Sequence, residues 1–261
     1  MMKEFKVAQI VPVSHLEDIA ANHYHMCLAH LVKESPTYTA FYRRMSNEGK
    51  FVLMDNGAAE NSQLKTADLL EMYRLVNPTE IVIPDTLCNM KATLEQAEKF
   101  ISEYADLPYR FMAVPQGRTI KEWCICANQL LSRYPRINSI GVSKFLNIVT
   151  KDPWARMQAS IYVYELSTRL NRSIEIHLLG CDEGPAIVSE ISREVPAVRG
   201  CDSAFAYIAA KADNDITRYS RRPVGEIDFL NGKYFSKTKE TLKQFEECTG
   251  VKNNKAKDTW E

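Results

Sequence analysis

The chain has 261 residues, and its 33 Lys and Arg are balanced by 33 Asp and Glu, so the formal net charge is zero. That balance excludes a histone-like partner of nucleic acid but is silent about local patches. An apolar fraction of 45%, with 10% aromatic and 25% charged residues, excludes a disordered chain and predicts a sizeable core.

The start, Met1-Met2-Lys3-Glu4-Phe5-Lys6, runs straight into a strand-like segment, and no apolar run reaches the ~18 residues that a membrane span needs. The sequence reads as a cytosolic protein without a membrane partner. Its seven cysteines are odd in number, scattered and mostly in apolar surroundings, which predicts reduced thiols rather than a disulfide framework. The one close pair, Cys124 and Cys126, lies on a predicted helix where a two-residue step sends the side chains to different faces, so no metal site is predicted.

Short β-branched or apolar runs recur along the chain, each followed by a stretch of helical periodicity. The strand candidates are Phe5 to Val11, Phe51 to Met54, Glu80 to Ile83, Arg110 to Val114, Ser139 to Val142, Ile174 to Leu178 and Ala197 to Cys201. The helix candidates are Leu16 to Val32, Thr66 to Val76, Ala92 to Tyr104, Ile120 to Tyr134, Asp152 to Leu170, Gly184 to Arg193 and Ala204 to Ala212. Ser14, Thr66 and Thr119 suit N-caps and Pro153 suits a first helical turn. Near-continuous hydrophobicity in each strand fits a parallel sheet covered on both faces. Seven such units predict a single-domain TIM (β/α)₈ barrel, with Gly225 to Phe235 as the candidate eighth strand or a small hairpin and the tail from Thr249 frayed.

The chemistry is concentrated in the residues just past the strands. Met54 is followed by Asp55-Asn56-Gly57, Pro84 by Asp85, Pro115 by Gln116-Gly117, Ile140 by Gly141-Val142 and Cys201 by Asp202-Ser203; His177 lies near its strand end, before Leu178-Leu179-Gly180. In a parallel barrel these ends open on one face, where the active site is built. A single Asp there is commonly a turn former or a cap, and a lone strand His is more often a core residue than a base. Three carboxylates and an amide together suit glycosyl chemistry, with one carboxylate attacking an anomeric carbon and another managing the leaving group's proton. An Asp beside a Gln or a backbone N–H also matches the edge of guanine. Metal-dependent barrel hydrolases gather Asp residues at this face as well.

At these same positions the chain resembles the tRNA-guanine transglycosylase (queuine tRNA-ribosyltransferase) superfamily. Asn22-His-Tyr-His-Met26 is similar to the family's Asn-Thr-Tyr-His-Leu, Leu53-Met-Asp-Asn-Gly-Ala58 to Leu-Thr-Asp-Ser-Gly-Gly, and Ile83-Pro-Asp85 to the Phe-Asp-Glu region. Val114-Pro-Gln-Gly117 resembles Val-Gln-Gly, Ile140-Gly-Val142 resembles Ile-Gly-Gly, His177-Leu-Leu-Gly180 resembles Tyr-Leu-Met-Gly, and Gly200-Cys-Asp202 resembles Phe-Asp-Cys. The resemblance implies that Asp202 is the nucleophile forming a covalent glycosyl ester and Asp55 the general acid/base. It implies that Asp85, Gln116, Gly141 and Val142 bind the base, with Tyr24, His25 and His177 lining or supporting the site, and that no cofactor takes part. The target base has to leave its stack to reach Asp202.

The family's zinc arm, Cys-x-Cys-x-x-Cys followed by His, has no counterpart after residue 202, where only Cys248 and no His occur. This departure favours the compact relatives, many encoded by phages, that place 7-deazaguanines such as preQ0 into DNA. The alternatives are a reduced-size tRNA enzyme and a non-catalytic nucleic-acid-binding relative. Lys211 to Lys257 carries 11 Lys and Arg against 7 Asp and Glu, including Arg218, Arg221 and Arg222, a candidate phosphate-binding segment. Tyr207, Tyr219 and Tyr234 are candidates to stack on a base. Relatives of this kind pair as dimers, which leaves a homodimer open.

Overall fold

A computed structural model describes residues 5–58 and 64–250. The strands are β1 (Lys6–Gln9), β2 (Tyr24–Leu28), β3 (Phe51–Asp55), β4 (Glu80–Val82), β5 (Arg110–Ala113), β6 (Ile137–Ser143), β7 (Glu175–Leu179) and β8 (Val198–Ser203). All seven ladders are parallel, in the order β1-β8-β7-β6-β5-β4-β3-β2, and β1 lies beside β2 at the remaining seam. The result is a nearly closed TIM-type barrel. Its outer ring is α1 (Ala29–Glu34), α2 (Pro36–Asn47), α3 (Thr66–Val76), α4 (Met90–Tyr104), α5 (Ile120–Arg133), α6 (Phe145–Thr150), α7 (Ala155–Arg169), α8 (Pro185–Glu194) and α9 (Phe205–Lys211). A last helix, α10 (Thr238–Thr249), packs against α8 and α9.

The expected eighth strand is misplaced. Gly225 to Phe235 forms no strand; the missing one is β2, inside the predicted helix Leu16 to Val32. That stretch breaks into a 3₁₀ turn (Val13–Ile19), β2 and α1. Five buried residues, Tyr24 to Leu28, pair in register with Phe51 to Asp55. A short, wholly buried strand has no alternation to distinguish it from a buried helix, so periodicity alone misreads it. Among the caps, Thr119 Oγ1 accepts from the Glu122 N–H. Ser14 instead donates to the Gly232 carbonyl, Thr66 is already helical after Lys65, and Pro153 precedes α7 by two residues. Thr249 is buried as the last residue of α10, and Gly250 caps it in the left-handed region at φ +80°. The remainder of the expected frayed tail lies outside the described residues.

The lower barrel interior is polar. Arg199 donates to Glu80, Glu175 and the Tyr24 hydroxyl, Arg110 pairs with both glutamates, and Ser139 Oγ donates to Glu80 at 2.9 Å. Burial alone would raise the Glu80 carboxyl, but the Arg199 guanidinium overrides it and holds Glu80 below its ordinary value. Arg199 and Asp202 are three residues apart, yet both face inward, because the β7–β8 register shifts between Ile176 and His177. At Gly200 a Cβ would collide with the Lys6 carbonyl oxygen, so a side chain there would part β1 from β8.

Removing Arg199 leaves Glu80 fully buried without its main compensating charge. Arg199→Met is expected to destabilise the fold by about 3–5 kcal/mol in urea unfolding, and Glu80→Gln in the same chain to recover part of that loss. Equal losses in the single and double variants would show that the pair is not coupled.

Candidate active site

The C-terminal strand ends enclose a cavity of about 700 Å³, within the range of about 300–1,000 Å³ usual for small-molecule sites. Asp55 reaches it from the end of β3, Asp85 from the turn after β4, Gln116 from the loop after β5 and Asp202 from β8, so the four residues singled out at separate strand ends share one chamber. Met26, Leu28, Val114 and Leu179 give it apolar walls. The segment between α9 and α10 crosses the mouth and contributes Arg222, Glu226, Ile227 and Phe229. It is tied down by Val13 N–H to the Phe229 carbonyl (2.8 Å) and Ala186 N–H to the Arg218 carbonyl (3.0 Å).

Asp202 is held on one side only. Its Oδ1 receives the Gly180 N–H at 2.9 Å and lies 3.1 Å from His177 Nε2. His177 is fully buried, and burial lowers its pKa although Asp202 opposes the shift, so the ring is neutral. A neutral imidazole facing a carboxylate carries its proton on that nitrogen, Nε2, which leaves Nδ1 as an acceptor. The Tyr24 hydroxyl, 2.8 Å away, supplies the donor, and its oxygen accepts from Arg199 Nε at 3.0 Å. Every link from Arg199 to Asp202 thus has one direction. The Oδ1 lone pairs are occupied, and neither bond uses Oδ2 of this cavity-lining carboxyl.

The opposite wall is a network of carboxylates and amides. Asp85 accepts from Asn56 Nδ2 at Oδ1 (2.8 Å) and from Gln116 Nε2 at Oδ2 (2.7 Å). Gln116 Oε1 accepts the Cys88 N–H at 3.0 Å, so its amide orientation is fixed and one Nε2 hydrogen remains for a ligand carbonyl. Burial pushes Asp85 up to about 6, with the Asn56 and Gln116 hydrogen bonds pulling the other way. Asp55, at the same rim, accepts the Gly57 N–H at 2.9 Å, a turn role that leaves its carboxyl lining the cavity.

Other predicted site residues sit elsewhere. His25 points away from the barrel interior, its Nε2 donating to the Asn22 carbonyl at 2.8 Å and its ring packed on Phe41 and Tyr42; burial lowers its pKa to about 4. The even residues of β2 face inward and the odd ones outward, which removes His25 from the site. Tyr24 and His177 do not line the cavity but form the layer beneath Asp202. Gly141 and Val142 are also absent from the lining. A Cβ on Gly141 would lie 2.6 Å from Leu179 Cδ1, so this glycine lets the cavity floor close beneath the site, and the Val142 carbonyl accepts from Arg156. Ser143 and Lys144, one and two residues on, reach the cavity instead. Of the three arginines, Arg222 lines it, Arg221 lines a neighbouring groove and Arg218 is exposed on the crossing segment. Tyr207 is core, Tyr234 stacks on His15 at 4.5 Å, and Tyr219 is exposed.

Sequence reasoning missed Asn56, Lys144, Asp182 and Arg199. Asn56 was hidden inside a run that reads as a turn, Asp55-Asn56-Gly57, and Arg199 gives no local signal because only the strand irregularity turns it inward. Among the described residues no group of three or more His, Cys, Asp or Glu is placed to hold a metal ion, and all seven cysteines are free. Nor, among them, is any helix long and apolar enough to cross a membrane. No protein-family model matches the chain, and no curated protein matches it.

This geometry has two measurable consequences. Asp85 takes up its proton near pH 6 when folded, against about 3.8 ordinarily, so its contribution to stability is present below about pH 4 and is lost as pH rises through 6. The stability of the wild type relative to Asp85→Asn should therefore fall by roughly 2–3 kcal/mol between pH 4 and 7, and a pH-independent difference would refute the assignment. In ¹⁵N NMR, His177 should show the Nε2–H tautomer at neutral pH and keep it in Tyr24→Phe, where Asp202 still accepts that hydrogen; an Nδ1–H signal in the wild type would reverse the chain.

Proposed function

We propose that this chain is a base-exchange transglycosylase that replaces guanine in DNA by a 7-deazaguanine through a covalent glycosyl-aspartate intermediate. The observation that carries the reading is the single cavity shared by Asp55, Asp85, Gln116 and Asp202, with Asp202 held through Oδ1 and offering Oδ2. It joins the ordered motif resemblance to a geometry in which each residue has a separate task.

In the first displacement Asp202 Oδ2 attacks C1′ of the nucleotide. The C1′–N9 bond breaks toward the purine, and protonated Asp55 supplies the proton with which guanine leaves neutral. In the second, the Asp55 carboxylate takes the N9 proton of the incoming 7-deazaguanine. Its nitrogen then attacks C1′, and the Asp202 ester bond breaks to restore the carboxylate. Two inversions retain the anomeric configuration. Asp85 and Gln116 suit the base edge, one accepting from ring and exocyclic N–H groups and the other donating to a carbonyl. The oriented bonds to Oδ1 hold the nucleophile in an attacking pose without reorganisation, which is how preorganised dipoles lower a barrier.

DNA is preferred to tRNA because between Asp202 and Gly250 the chain carries one cysteine, Cys248, and no histidine where the tRNA enzymes bear their zinc arm. That segment instead crosses the barrel mouth and returns through α10.

Guanine-containing DNA and tRNA, offered together with labelled preQ0, should yield label in DNA and none with Asp202→Ala. Asp55→Asn should reduce the rate by about 10²–10⁴-fold, the usual worth of a positioned acid/base. Label in tRNA alone would overturn the choice of DNA. Absence of any denaturation-stable protein–nucleic acid adduct, with binding retained, would leave a binding protein rather than an enzyme.

A further inference from the structure

The cavity is electrically divided. Among the described residues lining it, Asp55 and Asp85 sit on one wall, whereas the cations Lys144 and Arg222 are gathered around Asp182 on the other, with Glu226 from the same segment as Arg222 nearby. Lys144 Nζ pairs with Asp182 Oδ2 at 2.6 Å and Arg222 Nε with Asp182 Oδ1 at 3.0 Å, so one carboxylate holds two cations, one on each oxygen. All three side chains are part-exposed, between 23% and 40%. The Lys144 stem lies across Gly180, where a Cβ would come within 2.7 Å of Lys144 Cδ. Gly180 is the residue whose N–H holds Asp202. The cationic wall is therefore adjacent to the nucleophile.

Lys144 and Asp182 also line a second groove of about 510 Å³ outside the cavity, together with Lys151 and Arg221 over an apolar floor of Ile148 and Ile187. The two depressions share this Lys–Asp ridge.

We propose that Lys144 and Arg222 clamp the phosphodiester next to the nucleotide in the cavity. Asp182 occupies the anion position when the site is empty, and the adjoining strand leaves through the groove past Lys151 and Arg221. This rests on the reading of the cavity as a DNA base-exchange site, and it adds which side chains hold the phosphate beside the exchanged base. Lys144 and Arg222 meet the two oxygens of one carboxylate, so the same ammonium and guanidinium can receive the oxygens of a phosphate; with Asp182 and Glu226 also at the mouth, the attraction comes from these two placed donors and not from a net charge. Phosphate contacts position a strand without reading its sequence, while Asp85 and Gln116 face the base.

The test is fluorescence anisotropy of the full chain with a labelled single-stranded oligodeoxynucleotide of about nine residues carrying one central guanine, a length within the range such sites cover. Lys144→Met with Arg222→Gln should weaken binding about 10–100-fold at low salt and make the log–log salt slope less steep by about 1.4, the value for two lost phosphate contacts on a single strand. Asp182→Asn should tighten binding several-fold, a sign opposite to that of structural damage. Lys151→Gln with Arg221→Gln should weaken the long strand but not a guanine dinucleotide. An unchanged salt slope in the first variant, weaker binding in Asp182→Asn, or no binding by the wild type would overturn the clamp. Base exchange measured on the same preparations separates the two readings: exchange with an unchanged slope retains the enzyme and discards the clamp, whereas the predicted slopes without exchange do the reverse.

Discussion

A guanidinium buried in the middle of a barrel is the constraint from which the rest of the site follows. Arg199 is almost wholly shut off from water, and burying such a charge costs several kcal/mol unless paired carboxylates and correctly aimed acceptors surround it. Glu80 and Glu175 meet the charge, and the Tyr24 oxygen takes the Nε hydrogen. Because Arg can only donate, the Tyr24 hydroxyl hydrogen is free to point at His177, and His177 must then present its own hydrogen to Asp202. A residue that looks like part of a structural ion pair therefore sets the polarity of the hydrogen bonds that run from it to the rim. The carboxylate at the end of that chain receives two donors on one oxygen.

The backbone makes this possible by departing from regularity at one place. In an unbroken strand, residues three apart point to opposite faces, so Arg199 and Asp202 could not both be internal. The register shift opposite Ile176 and His177 turns one of them, and Gly200 between them absorbs the close approach of β1. Polar depth at the floor and a carboxylate at the rim are thus obtained from a single short strand.

The same features mark the limit of what the sequence makes legible. Seven of the eight strands and most of the large helices are written in hydrophobic runs, since burial on both faces selects continuous apolar segments. β2 is not, because Tyr24 to Leu28 carries a tyrosine, a histidine and a cysteine in a run too short to show a period. The four residues at strand ends were readable because barrel topology brings all such ends to one face, whatever the loops do. His25 was misassigned along with its strand, since only a strand's two-residue alternation separates it from Tyr24. Asn56, Lys144 and Asp182 depend on loop geometry, which no local pattern encodes. Arg199 depends on a bulge, which leaves no compositional trace.

The zero net charge conceals a separation of side-chain chemistry inside the cavity. Asp55 and Asp85, with the amides of Asn56 and Gln116, occupy one wall of the cavity, and Lys144 and Arg222, bridged by Asp182 and near Glu226, occupy the other. A neutral heterocycle that presents N–H groups and a carbonyl is best met by the first wall, and an anion only by the second. Asp202 stands between them, adjacent through Gly180 to Lys144 and facing the same space as Asp85. A ligand that satisfies both walls must therefore carry a hydrogen-bonding ring and an anion joined by a linker that passes over Asp202. A nucleotide has that order of groups, with the sugar carbon that bears the base lying between base and phosphate.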